Sequence, residues 1–406
     1  MATISPFRAL RPDPLFANQL VFPCIEQLYI LGIEKQSPLR PLKEQLEMPA
    51  RKRPETEEGQ QMAYQEIREN IETLLQSENL ILEKEPGIYV YEIIHRNYRQ
   101  TGIWALTSIK DYVNGNIKLH EQTLADSERR IKSYRRHTGL EGSPVLLTYP
   151  PDVAINSIIA ETCASQKKMS IGNRNSLHRI WKIQDTEILN ALIQAFARIG
   201  PAYLADGHHR LAATATLAKE NKTDAYISSL YIASDQIRII DYHRLFLPED
   251  PLDENLVWKK LLARCRITNS PDNQPVMPGQ PGLIGLCLTG RWYVLTPHCP
   301  GELDVVYLQE EILAPVFGVT CPRGDTRLKC IGGETAMDEL TGMLRAVPGA
   351  VAFTLCPMMV SQLMDAANSG QVLPPKSTWI APKVPYGLLM YRHHFSGKDI
   401  STQHYD

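Results

Sequence analysis

The sequence contains no run of apolar residues near the roughly 20 that a membrane-spanning helix needs. Its first residues also lack the basic start and apolar stretch of a secretory signal peptide. Basic and acidic side chains nearly balance, 43 against 45, so the net charge of -2 gives no general basic surface for nucleic acid. We therefore expect a cytoplasmic protein without a membrane partner, and the charge argues against a nucleic-acid partner.

Cysteine is sparse as well. The 8 cysteines are scattered and form no C-x-x-C pair, which argues against a disulfide framework. Four residues carry suitable donor atoms for zinc but lack the usual spacing, so reduced thiols are the preferred interpretation. These four are His298, Cys299, Cys321 and Cys330.

Glycine motifs of three common enzyme folds are also missing. The chain has no Walker loop, no Gly-x-Gly-x-x-Gly after a strand and no Gly-x-Ser-x-Gly elbow. These absences argue against a P-loop NTPase, a Rossmann dinucleotide site and a serine hydrolase, respectively.

Hydrophobic residues make up 43% of the 406, which is enough for a core and about two domains. Helical spacing of apolar positions predicts helices over 60–77 and 186–198, and a β-rich run predicts a strand over 225–233. We further expect a short strand over 20–23 and a loop over 111–119. The alternation of helices and strands predicts a mixed α/β (α+β) fold.

The most informative stretch is Ala-Asp-Gly-His-His-Arg at 205–210, directly before a helix-like run at 211–218. Gly207 allows a sharp turn or a close approach to a ligand. The helix start offers N–H groups and a partial positive charge to an anion, and Asp206 can cap the helix or contact magnesium. Phosphate donors would be His208, His209 and Arg210. The alternative is a capped helix with a cationic surface.

Two His-containing pairs elsewhere are weaker candidates. His120 and Glu121 precede a basic helix and can contact a metal-bound water or a ribose, although Thr123 can equally be a simple helix cap. His243 and Arg244 lie at a strand end, where open α/β sheets bind ligands, but a structural role is the preferred interpretation.

A proline-rich loop near the end presents an ammonium and two hydroxyl groups. It consists of Pro374, Pro375, Lys376, Ser377 and Thr378, and Lys383 follows shortly afterwards. Such a loop can reach a phosphate or a carboxylate.

Together these motifs resemble a bacterial and archaeal family of unknown function that is marked by Asp-Gly-His-His-Arg. The match extends over nearly the whole chain. The other matching elements, in order, are Pro6-Phe7-Arg8, His120-Glu121-x-Thr123, His178-x-x-Trp181, Pro374 to Thr378, and Pro382-Lys383. The central motif is in turn similar to the phosphate loops of the ParB and sulfiredoxin superfamily, whose free-serine kinases use a nucleotide to phosphorylate a small amino acid.

The resemblance implies a ParB/sulfiredoxin-like nucleotide-binding domain over 1–250 and a smaller α/β region over 251–406. It also implies ATP or ADP with Mg²⁺, and a small hydroxylated metabolite as the other partner. The resulting hypothesis is a nucleotide-dependent small-molecule kinase, with free serine as the leading substrate.

Residue roles follow from the same resemblance. Where the family usually has Pro-Pro-Tyr-Asp, this chain has Pro-Cys-Ile-Glu at 23–26, so Glu26 would be the base. The catalytic candidates are Glu26, His209 and Arg210. The phosphate-binding candidates are Asp206, Gly207, His208, His209, Arg210, Lys376, Ser377 and Thr378. Candidates for contact with the substrate or the phosphate-binding residues are His120, Glu121, His243, Arg244 and Lys383. No metal ligand is assigned.

Two further hypotheses stay open. The altered N-terminal element is compatible with a catalytically reduced nucleotide-binding protein that regulates or docks a partner. A ParB-like DNA-associated nucleotide switch is the least favoured, because the charge is near neutral and no helix-turn-helix is recognisable.

Overall fold

The computed structural model describes residues 2–22, 39–52, 56–96, 98–121, 123, 125–164, 167–299 and 301–393. The chain forms two compact units. The first unit contains residues 1–118, 123–236 and 383–406, and the second contains 119–122 and 237–382. The two domains expected from the sequence, 1–250 and 251–406, stay a prediction.

The strands of the first unit are short at its edges and long at its centre. They are β1 (Ile4–Ser5), β2 (Leu10–Pro12), β3 (Leu80–Leu82), β4 (Ile88–His95), β5 (Tyr98–Ser108), β6 (Ile117–Lys118), β7 (Leu140–Glu141), β8 (Val145–Tyr149), β9 (Met169–Gly172), β10 (Ser176–Ile183), β11 (Ala202–Asp206), β12 (Tyr226–Ala233) and a C-terminal strand at Tyr391–Arg392.

Within the described residues, the main sheet has the order β6-β11-β8-β12-β5-β4-β10-β9, and β1 pairs with β5. Strand β8 runs parallel to β12 and antiparallel to β11. Strands β2 and β3 form a separate pair, and β7 pairs with the C-terminal strand. The sheet therefore places the end of β11, where the central motif starts, next to the start of β8.

Helices cover this sheet. They are α1 (Ala17–Val21), α2 (Leu42–Leu46), α3 (Met48–Lys52), α4 (Glu57–Gln76), α5 (Ile109–Val113), α6 (Ala125–Thr138), α7 (Val153–Ala164), α8 (Thr186–Arg198) and α9 (His208–Asn221). Helix α4 begins at an N-cap, Thr56, whose hydroxyl accepts a hydrogen bond from Gly59 N at 3.2 Å. It buries Ile67, Ile71 and Leu74, which share one face by helical spacing.

Aromatic side chains fill the space between α8 and the sheet. Phe196 on α8 packs with ring centroids 5.4 Å from Tyr149 and 5.0 Å from Tyr231. All three are almost fully buried. Such edge and tilted ring contacts add stabilisation beyond simple burial.

The second unit is an antiparallel sheet with helices packed on it. Its strands are β13 (Arg238–Ile240), β14 (Tyr242–Phe246), β15 (Cys265–Asn269), β16 (Ile284–Leu288), β17 (Arg291–Pro297), β18 (Leu328–Gly332), β19 (Val351–Leu355) and β20 (Trp379–Ala381). The larger sheet has the order β15-β17-β16-β19-β14-β18, and β13 pairs with β20. Its helices are α10 (Glu254–Leu262), α11 (Asp304–Tyr307), α12 (Ala314–Phe317), α13 (Ala336–Ala346) and α14 (Val360–Ser369), with a π-helical turn at Leu308–Leu313.

The mixed α/β prediction is confirmed, and the predictions of helix 186–198 and strand 225–233 agree with the structure. Two local predictions were wrong. Residues 20 and 21, expected in a strand, belong to helix α1, because Leu20 and Val21 are buried there and packing overrides β propensity. The expected loop over 111–119 contains the end of helix α5 and strand β6.

Candidate functional site

The central motif forms a tight strand-to-helix turn in the first unit. Strand β11 ends at Asp206 and helix α9 begins at His208. Between them Gly207 has φ 100°, a left-handed conformation that residues with a Cβ rarely adopt. The backbone N–H groups of Arg210 and Leu211 donate to Gly207 O at 2.9 and 3.0 Å. Gly207 provides no side-chain cap, so the positive end of the helix receives no acceptor from its N-cap side chain.

Asp206 lies between two cations at this turn. Its Oδ2 is 2.6 Å from Arg210 Nη2, and its Oδ1 is 2.6 Å from Lys383 Nζ. Burial on its own raises the pKa of Asp206, but the charges of Arg210 and Lys383, with that of His208, lower it to about 2. The carboxylate is therefore ionised at neutral pH and balances much of the positive charge around it.

Arg210 also binds backbone oxygens. Its Nη1 donates to Ser143 O at 3.1 Å and makes a second, very short contact with Pro144 O. These residues precede β8, so the guanidinium connects that segment to Asp206. Because three acceptors hold it, Arg210 has a fixed position at the motif.

The two histidines of the motif differ in exposure. His208 is only 7% exposed, whereas His209 is half-buried. The His208 side chain therefore faces protein, and His209 is the more accessible imidazole beside the first turn of the helix.

A buried charged group supports the start of helix α9. Arg135 Nη1 donates to Arg210 O at 2.6 Å, and Arg135 Nη2 is 2.7 Å from Glu141 Oε1. His393 Nε2 lies 2.8 Å from the same Glu141 oxygen, and Ser228 N donates to Glu141 Oε2 at 2.9 Å. Burial raises the pKa of Glu141, but Arg135 and His393 outweigh burial and lower it. We call Arg135, Glu141 and His393 the buried ion cluster.

Sequence reasoning missed this cluster. The arginines of helix α6 were interpreted as a solvated face, yet Arg135 is buried. One signal was available, since Arg135 follows Ile131 by four residues and precedes Thr138 by three, which places all three on one helix face. Nothing in the sequence pointed to Glu141 or His393.

The remaining candidates occur in the second unit, except Lys383 and Glu26. Arg244 is buried and donates from Nη2 to Pro375 O at 3.0 Å and to Lys376 O at 3.1 Å. His120 Nε2 lies 3.4 Å from Thr378 Oγ1, and His120 O accepts from Leu373 N at 2.9 Å. Glu121 forms a β-bridge with Leu373. The structure thus brings the two His-containing pairs to the Pro-Pro-Lys-Ser-Thr loop.

Within that loop, the side chains differ in accessibility. Ser377 is buried and donates to Pro374 O at 2.6 Å. Lys376 is exposed and has φ 59°, an uncommon backbone conformation for a lysine.

His243 and Asp241 lie together near a pocket of the second unit. Leu355 N donates to His243 Nδ1 at 3.4 Å, and His243 Nε2 is 4.0 Å from Asp241 Oδ2. Burial and the charge of Arg244 lower the pKa of His243 to about 4, while burial raises the pKa of Asp241 to about 6. His243 is therefore neutral at pH 7. The pocket is also lined by Asp304, Gln362 and Ser377.

The proposed base, Glu26, lies outside the described residues. Among the described residues, no group of three or more His, Cys, Asp or Glu side chains is arranged to hold a metal ion. The turn can still offer the carboxylate of Asp206 to a Mg²⁺ carried by a nucleotide, since such ions use one or two carboxylates together with phosphate oxygens. Of the helices that are described, none has the length and apolar character needed to cross a bilayer.

Comparison with solved structures gives several similarities of low identity. The chain is similar to SbnI with a C-terminal truncation from Staphylococcus aureus, at 14% identity and TM-score 0.41, over 70% of this chain and 86% of that one. A mutant free serine kinase in complex with ADP has the same identity and TM-score, over 72% and 92%. A conserved hypothetical protein from Pyrococcus furiosus matches at 14% identity and TM-score 0.38, over 70% and 94%. Similarity at this level assigns no activity.

Sequence comparison is decisive about the family. No curated protein matches the chain. One family model, described as "Protein of unknown function (DUF1015)", matches residues 4–312. Because this match covers more than half of the 406 residues, the chain belongs to the DUF1015 family.

Proposed function

We propose that the chain is a nucleotide-dependent kinase that transfers a phosphoryl group to the hydroxyl of a small metabolite. The observation that carries this proposal is the Gly207 turn, where the start of helix α9 lies beside the cations Arg210 and Lys383. An uncapped helix start with adjacent cations suits a phosphate group. The nucleotide is ATP or ADP with Mg²⁺.

Phosphoryl transfer requires positioning and neutralisation of the charge on the transferred group. The N–H groups of the first turn of α9 and the accessible imidazole of His209 would bind phosphate oxygens. Arg210 would keep Asp206 and the segment before β8 in place while it adds positive charge. The buried ion cluster fixes the same turn through Arg210 O.

The substrate side of the reaction is proposed from the sequence. The resemblance of the motif to that of free-serine kinases favours free serine, and Glu26 would accept the hydroxyl proton. The residues of the second unit, Lys376 to Thr378 with His120, Glu121, His243 and Arg244, would contribute contacts to the nucleotide or the substrate.

A product assay tests the proposal. The protein is incubated with ATP or ADP, Mg²⁺ and a pool of amino acids and sugars, and phosphorylated products are identified by ³¹P NMR and mass spectrometry. We expect O-phosphoserine from the wild-type protein. Arg210→Ala should reduce turnover by about 10²–10³-fold, the size of effect seen when one electrostatic donor is removed from an active site.

Two variants sharpen the assay. His209→Asn should also lower turnover, whereas His137→Asn, which changes an exposed histidine on helix α6, should not. Near-normal turnover in Arg210→Ala would refute the assignment of the site. Nucleotide binding by calorimetry without any product would instead favour the regulatory alternative, to which the altered element at 23–26 points.

A further inference from the structure

Lys383 reaches the motif from the C-terminal part of the first unit. It is 177 residues away from Asp206 in sequence, yet its Nζ donates to Asp206 Oδ1 at 2.6 Å. Asp206 directly precedes the Gly207 turn, so the ammonium lies next to the proposed phosphate position.

The two cations on Asp206 are held in different ways. Arg210 is fixed by Asp206 and by the two backbone oxygens of Ser143 and Pro144. Lys383 carries its charge on a flexible stem, and its side chain is 44% exposed. Of the two, Lys383 is therefore the cation that can change partner at little structural cost.

The segment that carries Lys383 is itself firmly attached to the first unit. Tyr386 OH lies 3.2 Å from Tyr134 OH, and Gly387 N donates to Gly142 O at 2.8 Å. Met390 N donates to Leu10 O at 2.8 Å, and His393 belongs to the buried ion cluster. The backbone next to Lys383 is thus anchored, and the change of partner involves its side chain.

We propose that Lys383 is a nucleotide-phosphate ligand that Asp206 holds until the nucleotide arrives. This inference rests on the proposed function. When a polyphosphate binds at the start of helix α9, Lys383 moves from Asp206 to a phosphate oxygen. Asp206 keeps its ion pair with Arg210 and gains a free oxygen for the divalent cation that accompanies the nucleotide.

Calorimetric titration of the full chain with ADP and with pyrophosphate, each with and without Mg²⁺, tests this exchange. Lys383→Gln should weaken ADP binding about tenfold or more, as expected for the loss of one charge-assisted hydrogen bond. Lys383→Arg should retain most of the affinity. Asp206→Asn should tighten binding of Mg²⁺-free pyrophosphate, because it releases Lys383 and removes a negative charge, and should reduce the effect of Mg²⁺.

A matched control is Lys110→Gln. Lys110 forms an exposed ion pair with Asp224 at 2.8 Å, also in the first unit, and its loss should leave ADP binding unchanged. Equal melting temperatures of the ligand-free Lys383→Gln and wild-type proteins are expected, since the ion pair is largely exposed.

The outcomes separate this inference from the proposed function. If the wild-type protein binds ADP and Lys383→Gln binds it within twofold, the exchange is refuted while the kinase proposal survives. If the wild-type protein binds neither ADP nor ATP, both are refuted. Weakened binding in Lys383→Gln with no product in the kinase assay would support the exchange in a nucleotide-binding protein without catalysis.

Discussion

Arg135 donates a hydrogen bond of 2.6 Å to the backbone oxygen of Arg210. The donor lies on helix α6 and the acceptor in the first turn of helix α9. Through Glu141 and His393, the same charged group extends to the C-terminal part of the first unit. The start of the motif helix is therefore fixed by an ion cluster that is almost inaccessible to solvent.

Glu141→Gln tests the energetic weight of this cluster. The substitution keeps the shape of the side chain but leaves Arg135 buried without its counter-charge, which typically costs about 3 kcal/mol. We expect a clear fall in the urea midpoint at unchanged slope. Asp224→Asn removes a carboxylate from an exposed pair and should barely move the midpoint. Equal midpoints for both variants would mean that the cluster does not stabilise the fold.

Gly207→Ala should destabilise the protein by about 1–3 kcal/mol, because a residue with a Cβ is strained at φ 100°. The added atom would also lie 2.9 Å from Val145 Cγ1. Gly200→Ala is the matched control, since a Cβ there meets nothing within 4 Å. Chemical denaturation of the two variants gives the comparison. A Gly207→Ala protein as stable as Gly200→Ala would contradict the strained turn.

The pH dependence of stability should contain a contribution from Asp241. Burial raises its pKa from 3.8 to about 6 in the folded state. The folded protein then binds this proton more tightly than the unfolded chain, so the stabilisation is complete below pH 4 and is lost as the pH rises through 6. Asp241→Asn should abolish this loss, which amounts to about 2 kcal/mol. Urea unfolding of both proteins at pH 4 and pH 7 measures it, and parallel profiles would contradict the raised pKa.

Asp206 should act with the opposite sign. Its pKa is lowered to about 2 in the folded state, so its stabilisation is present above pH 4 and is lost as the pH falls through 2. Asp206→Asn should flatten the acid limb of the stability profile between pH 4 and pH 2. Circular dichroism during acid titration measures this limb. A variant that unfolds along the wild-type curve would show that Arg210 and Lys383 do not stabilise the ionised carboxyl.

Arg244→Lys should loosen the Pro-Pro-Lys-Ser-Thr loop while it keeps the charge. A single ammonium cannot reproduce the planar fork that donates to Pro375 O and Lys376 O. We expect faster amide hydrogen exchange over 376–378. Arg238→Lys, at a more exposed arginine of the same unit, is the control and should leave exchange in that loop unchanged. Identical exchange in both variants would mean that Arg244 does not hold the loop.

Local periodicity was sufficient for the long elements. Helix α4 was expected over 60–77 and spans Glu57–Gln76, because its apolar positions repeat at helical spacing. Short elements were less predictable. Leu20 and Val21 were expected in a strand, but their burial on helix α1 depends on residues distant in sequence, which a local pattern does not contain.

For the candidate site, the turn was predictable and its charged neighbours were not. Glycine between a strand and a helix pattern indicated the turn at Gly207, and the left-handed φ agrees with it. The Lys383 partner of Asp206 lies 177 residues later, and the His393 partner of Glu141 lies 252 residues later. Sequence spacing gives no information about such pairs, since they form only when the chain returns to the first unit.

That return has a consequence for synthesis on the ribosome. Strand β7, at Leu140–Glu141, finds its partner only at Tyr391–Arg392, after the entire stretch 237–382 has been made. The first unit must therefore wait, with its acidic Glu141 uncovered on one side, until that late strand has been translated. A truncated translation product that stops before residue 383 would carry the complete Asp-Gly-His-His-Arg turn without Lys383 and His393, the two late side chains that neutralise Asp206 and Glu141.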